Sequence, residues 1–459
     1  MRPAVSTAEQ MAPVPDLAII GGGFAGTSLA LQARLARPDW RVLLFEPAEP
    51  GPGLAYSTLE PGHLLNVPAA GMSLFPDRPA HFAEWLAARP DAPRAAPGEP
   101  VFAPRRLYGR YLSEQFRAAE GPMLRHVALP VSRLERTGGG FVLRAGEETW
   151  RAGRVALAVG GFAAPGGAPP PMFSNPWDPA ALRGIDPDAP VLLLGLGLTA
   201  VDMLVSLREG GHRGPVLGLS RHGWLPLPHL PRAAPPVAVE LPQGCGPLEA
   251  LRRIRQAQRE AAGQGQPWQA VMDGVRPQVQ RLWQDWDLAA RRRFLRHGRS
   301  AWNLHRHRVA PSIGAFLAKQ RATGGLEVVA GRLLSWRTAA SGAEVVIGRR
   351  GGGELRREVG RIIQCIGPDG ASAWRQGAPV AGLMERGVVE VEPLGLGLRV
   401  APSGQIADAA GSVVPGLAAI GPLTRGMLWE ITAVPEIRAQ AAAALAGPLA
   451  EPIDPDEEW

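Results

Sequence analysis

The chain has 459 residues, a formal charge of +7, and 46% hydrophobic and 20% charged residues; this length supports two or three domains with cores of their own and excludes a small cross-linked scaffold. Its two cysteines, Cys245 and Cys365, are far apart and lack C-x-x-C or metal-ligand spacing, which argues against a disulfide framework or metal site and makes a reducing cytoplasm the default. The positive balance is nearly all arginine, with Lys319 the only lysine, and no nucleic-acid motif accompanies it, so no nucleic-acid partner is expected.

Residues 1–15 lack the basic start and apolar middle of a signal peptide and read as a flexible lead-in. The long apolar stretches are broken by glycine, so no membrane span or membrane partner is expected. Leu17–Ile20 then predicts a buried strand, Gly21-x-Gly23-x-x-Gly26 a turn, Leu29, Ala33 and Ala36 a helix, and Arg41–Phe45 a second strand ending in Glu46. Gly21 permits a tight turn, Gly23 lets the backbone approach a pyrophosphate, and Gly26 lets the helix pack on the sheet. The first-turn N–H groups at Phe24 and Ala25 face the phosphates with the positive end of the helix dipole. Glu46, 20 residues beyond Gly26, is placed to accept hydrogen bonds from an adenosine ribose.

Residues 51–86 read as a long ordered loop with many apolar residues, fit to cover a cofactor. Residues 104–119 predict an amphipathic helix, and residues 124–159 short strands ending at Gly160-Gly161, where the backbone can lie against a dinucleotide. The proline-rich stretch 165–190 reads as a linker anchored by Trp177. A second strand, turn and helix follow at residues 191–212, with Gly195-x-Gly197-Leu198-Thr199-Ala200 as the turn. Its next strand, residues 216–223, carries Ser220-Arg221 in place of an acid. Arginine there can pair with the 2′-phosphate of NADP, the lesser alternative being an ordinary surface arginine.

Residues 246–322 predict helices rich in tryptophan and arginine, read most simply as an insertion with a solvated basic face. Strands resume at Leu326–Val329 and Glu344–Ile347, and Arg361–Ile366 leads into Gly367-Pro368, echoing the strand that ends at Gly160. A last strand at Leu417–Ile420 meets Gly421-Pro422, and a final helix is expected to start at Thr424–Met427, bringing Gly426 and Met427 to the cofactor. Such a start can stabilise the partly anionic edge of a reduced flavin.

The order implies an α/β chain with two Rossmann-like dinucleotide-binding domains, the second inserted into the first. Residues 16–165 and 366–459 form one, and residues 186–365 the other, with the helical insertion at 246–322. The motifs GPGLAYST, HLLNVPA, PRRLYGRYL, GLGLTAVD, SRHGWLP and GPLTRGMLWEITAVPEIR resemble a bacterial branch of the glutathione-reductase-like FAD/NAD(P)-binding flavoproteins, close to flavin monooxygenases that hydroxylate nitrogen or oxygenate sulfur. The resemblance implies FAD held by Gly21, Gly23, Gly26 and Glu46, with Leu65, Asn66, Val67 and Gly421 beside its ring system. It implies NADPH held by Gly195, Gly197, Thr199 and Arg221. NADPH would reduce FAD, and O₂ activated as a flavin C4a-hydroperoxide would oxygenate an amine nitrogen or sulfur of a small substrate. Asn66 is the candidate polar group near the reacting oxygen, a backbone-contacting loop asparagine being an equal alternative. Arg291, Arg292, Arg293, Arg306 and Arg308 are the candidate anchors for an anionic substrate. Dithiol chemistry is excluded by residue supply, and Pro422 stands where the superfamily commonly has aspartate. Electron transfer without oxygen insertion, and a nucleotide-sensing role, are the competing functions; a homo-oligomer is compatible with all three.

Overall fold

The computed structural model describes residues 14–160, 171–366, 377–408 and 410–450. Strand Leu17–Ile20, helix Phe24–Ala36 and strand Val42–Phe45 form where the glycine pattern places them. Both strands are apolar throughout and buried on both faces, as the central strands of a parallel sheet must be. Their sheet has six strands in the order 405–407, 413–419, 154–157, 17–20, 42–45 and 124–127. All neighbours are parallel except the first two, and the carboxyl-terminal part of the chain thereby returns to the first sheet. Helices Phe24–Ala36, Arg105–Ala119 and Val434–Ala446 cover one face; on the other, the antiparallel meander of residues 131–152 and the helix Val380–Glu385 share a second core.

Strand Val191–Leu194 begins the second sheet, of seven strands in the order 354–359, 342–349, 326–339, 216–220, 191–194, 361–364 and 172–173. Leu326–Ala339 is long enough to pair parallel with Val216–Ser220 at its start and antiparallel with Gly342–Arg349 beyond it. Trp177 packs against the core of this second unit.

The helical stretch lies in the crossover between the adjacent parallel strands Val216–Ser220 and Leu326–Ala339. Its final helix, Pro311–Ala322, packs on the second sheet through Leu317. The preceding helices from Pro247 to Arg306 instead close over a core of their own, built from Val271, Leu282 and Trp283 with Val239, Leu241 and, from the carboxyl-terminal segment, Trp429. Among the described residues no helix is long and apolar enough to cross a membrane.

One element departs from expectation. Gly421–Thr424 is a 3₁₀ turn, and the last helix starts at Val434, not at Thr424–Met427. Pro435 belongs to that helix's first turn, where its missing N–H costs nothing. Residues 426–430 instead turn outward to the insert: Trp283 and Trp429 stack at 4.7 Å, and Trp283 donates its indole N–H to the Gly426 carbonyl at 2.9 Å.

Candidate functional site: two glycine cradles and the seam between them

At the first cradle Gly21 has a φ of +102°, and a Cβ there would stand 2.8 Å from the Ala158 carbonyl oxygen. A Cβ on Gly26 would overlap the Gly21 carbonyl oxygen, so the helix can start this close to the strand only with glycine. Gly23 is different. Its φ of −67° suits any residue, a Cβ would meet only Gly53 Cα at 3.7 Å, and as N-cap it makes no side-chain cap. The first-turn donors at Phe24, Ala25 and Gly26 therefore keep the geometry of an anion site. The Glu46 carboxylate accepts the backbone N–H of Gly22 at 2.8 Å and of Ala48 at 3.1 Å, which fixes it beside the turn with lone pairs to spare.

Gly421 joins this cradle: its φ is +79°, and a Cβ would lie 3.1 Å from that of Ala25. Its N–H donates to Gln440 Oε1 at 2.7 Å, and Gln440 donates in turn to Thr424 Oγ1 at 3.1 Å, so the turn is held by a buried amide rather than by a helix start. Gly160 sits beside Pro422, to which an added Cβ would approach within 3.3 Å. Gly426 and Met427 give their carbonyls to Trp283 and to Gln280, the latter at 3.0 Å, and so face the insert. Gly367 lies outside the described residues.

The second cradle repeats the design. Gly195 has a φ of +95° and would place a Cβ 2.9 Å from the Cys365 carbonyl, whereas a Cβ on Gly197 would meet nothing within 4 Å. Gly195, Gly197, Leu198, Thr199 and Arg221 line one cleft of about 740 Å³, closed on its far side by Ser300, Asn303 and His307 of the insert. Ser220 Oγ accepts the N–H of Gly223 at 3.0 Å and sets the turn carrying Arg221. Arg332, from the neighbouring strand, lines the same cleft. It lacked any sequence signal because it comes from a strand more than a hundred residues downstream. His222 accepts from Arg350 at 2.6 Å and stacks on Trp224 at 4.4 Å; burial first, then the charges of Arg350 and Arg221, push its pKa down.

Between the cradles runs a buried polar seam. Arg105 pairs with Asp202 at 2.7 Å, and His63 bridges Thr58 Oγ1 at 2.8 Å to Ser206 Oγ at 2.8 Å. Burial raises the Asp202 pKa, and the Arg105 charge opposes it. His229 donates from Nε2 to the Asn66 carbonyl at 2.9 Å. Leu65 is buried in the first core and Val67 packs against that core, while Asn66 lines a cavity of about 20 Å³ at the seam with Leu198 and Val201. The sequence reading missed His63, Arg105, Asp202 and His229 as a set because their partners lie across the domain boundary.

The arginines expected to anchor a substrate are otherwise engaged. Arg306 pairs with Glu430 at 2.7 Å with both side chains buried, Arg308 pairs with Asp273, and Arg291 donates to the Trp283 carbonyl at 2.9 Å. Arg292 and Arg293 are exposed. Part of the insert's basic face is therefore engaged, within the insert by Arg308 and Arg291 and across to the carboxyl-terminal segment by Arg306. Both thiols are buried in separate cores with their pKa values raised by burial, so neither is a reactive member of a redox pair.

A family model described as FAD-NAD(P)-binding matches residues 18–162. Comparison with curated proteins gives no match. Among solved structures, the cadaverine monooxygenase DfoA from Erwinia amylovora is similar at 14% identity over 98% of this chain and 97% of that one, with a TM-score of 0.62. An L-lysine 6-monooxygenase from Pseudomonas syringae is similar at 15% identity over 95% and 100%, TM-score 0.58. The ornithine N-hydroxylase of Kutzneria sp. 744 is similar at 13% identity over 95% and 98%, TM-score 0.57. The chain thus has, over nearly its whole length, the two-dinucleotide-binding fold of these flavoprotein structures.

Proposed function

We propose that the protein is an FAD- and NADPH-dependent monooxygenase that oxygenates an amine nitrogen or sulfur of a small, amino-acid-like substrate. The observation that carries this reading is the second cradle, an uncapped glycine turn and two arginines on one cleft of about 740 Å³, in a chain that also carries the first glycine cradle. The solved structures of like fold that act on ornithine, lysine and cadaverine support the choice of substrate class.

In this reading residues 16–165 and 366–459 hold FAD and residues 186–365 hold NADPH. Gly21, Gly23, Phe24, Ala25 and Gly26 receive the FAD pyrophosphate, Glu46 its ribose, and Leu65, Asn66, Val67 and Gly421 border the ring. Gly195, Gly197, Leu198 and Thr199 receive the NADPH pyrophosphate, and Arg221 with Arg332 its 2′-phosphate. The bound flavin supplies hydride acceptance and oxygen activation. The chain's own contribution is positional. The Arg105–Asp202 pair and the His63 bridge tie the first cradle's loop and helix to the helix of the second cradle, and His229 pins the backbone of Asn66. His307, pushed down to about 4 by burial and then by Arg306, stays neutral on the cleft wall, so it adds no charge beside the dinucleotide.

The test is anaerobic reduction of the bound flavin. Purified protein should carry FAD and be bleached faster by NADPH than by NADH. Gly23→Ala should fold, since its Cβ has room, yet lose FAD; a colourless wild type that cannot be reconstituted would end the proposal.

A further inference from the structure

Past the strand Val216–Ser220 the chain places two aromatic rings together on the wall of the second cleft, those of His222 and Trp224. They flank Gly223, whose φ of +65° makes the turn and whose added Cβ would stand 3.2 Å from the Ala330 backbone nitrogen, so the turn lies tight against the neighbouring strand. The two rings stack with centroids 4.4 Å apart and planes 16° from parallel. His222 is itself held: its Nδ1 accepts from the Arg350 guanidinium at 2.6 Å, and the Arg350 backbone N–H donates to the Ala330 carbonyl at 2.9 Å. One face of the indole is thus covered by a ring fixed in place.

The rest of the indole is open. Trp224 is 41% exposed, and among the described residues it is the only tryptophan, tyrosine or phenylalanine that is exposed. No second ring or guanidinium of those residues lies over it. The turn does not depend on the indole, because the Ser220 Oγ bond to the Gly223 N–H at 3.0 Å and the Arg350 tether already hold it. A rigid indole covered on one face and standing on a cleft wall is a surface for one more flat ring.

Position selects that ring. With the 2′-phosphate on Arg221, the purine hangs from the adjacent carbon of the same ribose. Trp224 lies three residues beyond Arg221, so their Cα atoms are within about 10 Å of each other, an interval that a purine and an indole span. The nicotinamide is directed elsewhere: strand 191–194 stands between strands 216–220 and 361–364, so a pyrophosphate on Gly195–Thr199 sends the other half of the dinucleotide toward Cys365 and Ile366.

We propose that Trp224, backed by His222, is the stacking platform for the adenine ring and sets the affinity of the adenosine half. That the adenine belongs to NADPH rests on the proposed use of this cleft; that Trp224 offers a flat ring a place to stack rests on the geometry alone.

The experiment titrates FAD-loaded protein with 2′,5′-ADP, which carries the adenosine half without nicotinamide, and with NADP⁺ and NAD⁺, by calorimetry and by tryptophan fluorescence. On wild type, 2′,5′-ADP should quench part of the fluorescence. Trp224→Ala should raise the Kd for all three ligands by a common factor, about fivefold or more, as expected when a base loses its aromatic partner. The preference for NADP⁺ over NAD⁺ should therefore survive in Trp224→Ala and shrink in Arg221→Ala. Trp224→Phe should hold the Kd for 2′,5′-ADP within about threefold of wild type while losing the quench. Trp224→Leu, apolar but not aromatic, should bind as weakly as Trp224→Ala. The side chain is exposed, so all three variants should melt close to wild type. The platform is refuted if Trp224→Ala binds 2′,5′-ADP within about threefold of wild type, or if leucine serves as well as phenylalanine. It is equally refuted if Trp224→Ala weakens NADP⁺ while sparing 2′,5′-ADP, which would put the indole against the nicotinamide. In each of these cases wild-type binding of NADP⁺ leaves the dinucleotide reading of the cleft standing. If wild type binds none of the three ligands, that reading falls and the adenine assignment falls with it.

Discussion

Substituting Gly197 by alanine separates a glycine kept for a ligand from one kept for the fold. Gly197 has φ −81° and ψ −168°, which alanine adopts freely, and its Cβ would meet nothing within 4 Å. On the protein alone the change is therefore neutral or stabilises by about 0.4–1 kcal/mol through the unfolded chain. With NADPH the methyl stands where the pyrophosphate must approach. Losing one charge-assisted bond to a first-turn N–H costs about 1.5–3 kcal/mol, roughly ten- to a hundredfold in Kd. Gly195→Ala reverses the pattern: at φ +95°, with the Cys365 carbonyl 2.9 Å from the new Cβ, it should destabilise the second unit by at least about 1–2 kcal/mol. Isothermal titration with NADP⁺ beside a thermal melt reads both quantities. If Gly197→Ala keeps its Kd for NADP⁺ within about threefold of wild type, below the tenfold floor set by one lost bond, the cleft is not the dinucleotide site.

Arg221→Ala and Arg332→Ala should each lower the ratio of kcat/KM for NADPH over NADH by about tenfold, the low end for a charge-assisted phosphate bond at an exposed site; an unchanged ratio in both would show that neither reads the 2′-phosphate. Glu430→Ala leaves the buried Arg306 with only its long 3.9 Å contact to Glu436 and orphans the Trp302 indole, so the unfolding transition reported by tryptophan fluorescence should lose about 3 kcal/mol, whereas a loss under about 0.5 kcal/mol would mean the insert docks by packing alone. Burial, then the Arg308 charge, lower His229 from 6.5 to about 4. The unfolded chain therefore binds a proton that the native state excludes, and stability complete above pH 6.5 falls as pH drops toward 4, by on the order of 3 kcal/mol. His229→Gln keeps a donor for the Asn66 carbonyl and should flatten that slope; equal slopes in urea midpoints taken across this range would place the titrating group elsewhere.

What could be read from the sequence followed from local rules. Gly21, Gly26 and Gly195 occupy positions where a Cβ would strike backbone atoms, and such constraints write themselves into adjacent residues. The nested order of the two sheets was readable because each strand, turn and helix repeats within about thirty residues. The start of the last helix was not. Thr424–Met427 has the pattern of a helix start, but Trp429 and Glu430 find partners on Trp283 and Arg306, and this tertiary docking outweighs local propensity. Pairing at a distance along the chain, with Glu430 for Arg306 and Asp273 for Arg308, explains why these two were misread: an arginine's sequence neighbours do not reveal whether a distant carboxylate will pair with it.

The most direct test of the central claim is isotope incorporation. Protein loaded with FAD is supplied with NADPH and isotopically labelled dioxygen, together with a panel of small amines, amino acids and thioethers, and products are read by mass spectrometry. The monooxygenase account requires that at least one of these compounds gain a single oxygen atom from dioxygen, in proportion to NADPH consumed and dependent on Gly197. NADPH oxidation that yields only hydrogen peroxide or a reduced acceptor, with no labelled product anywhere in the panel, would contradict it and establish electron transfer instead.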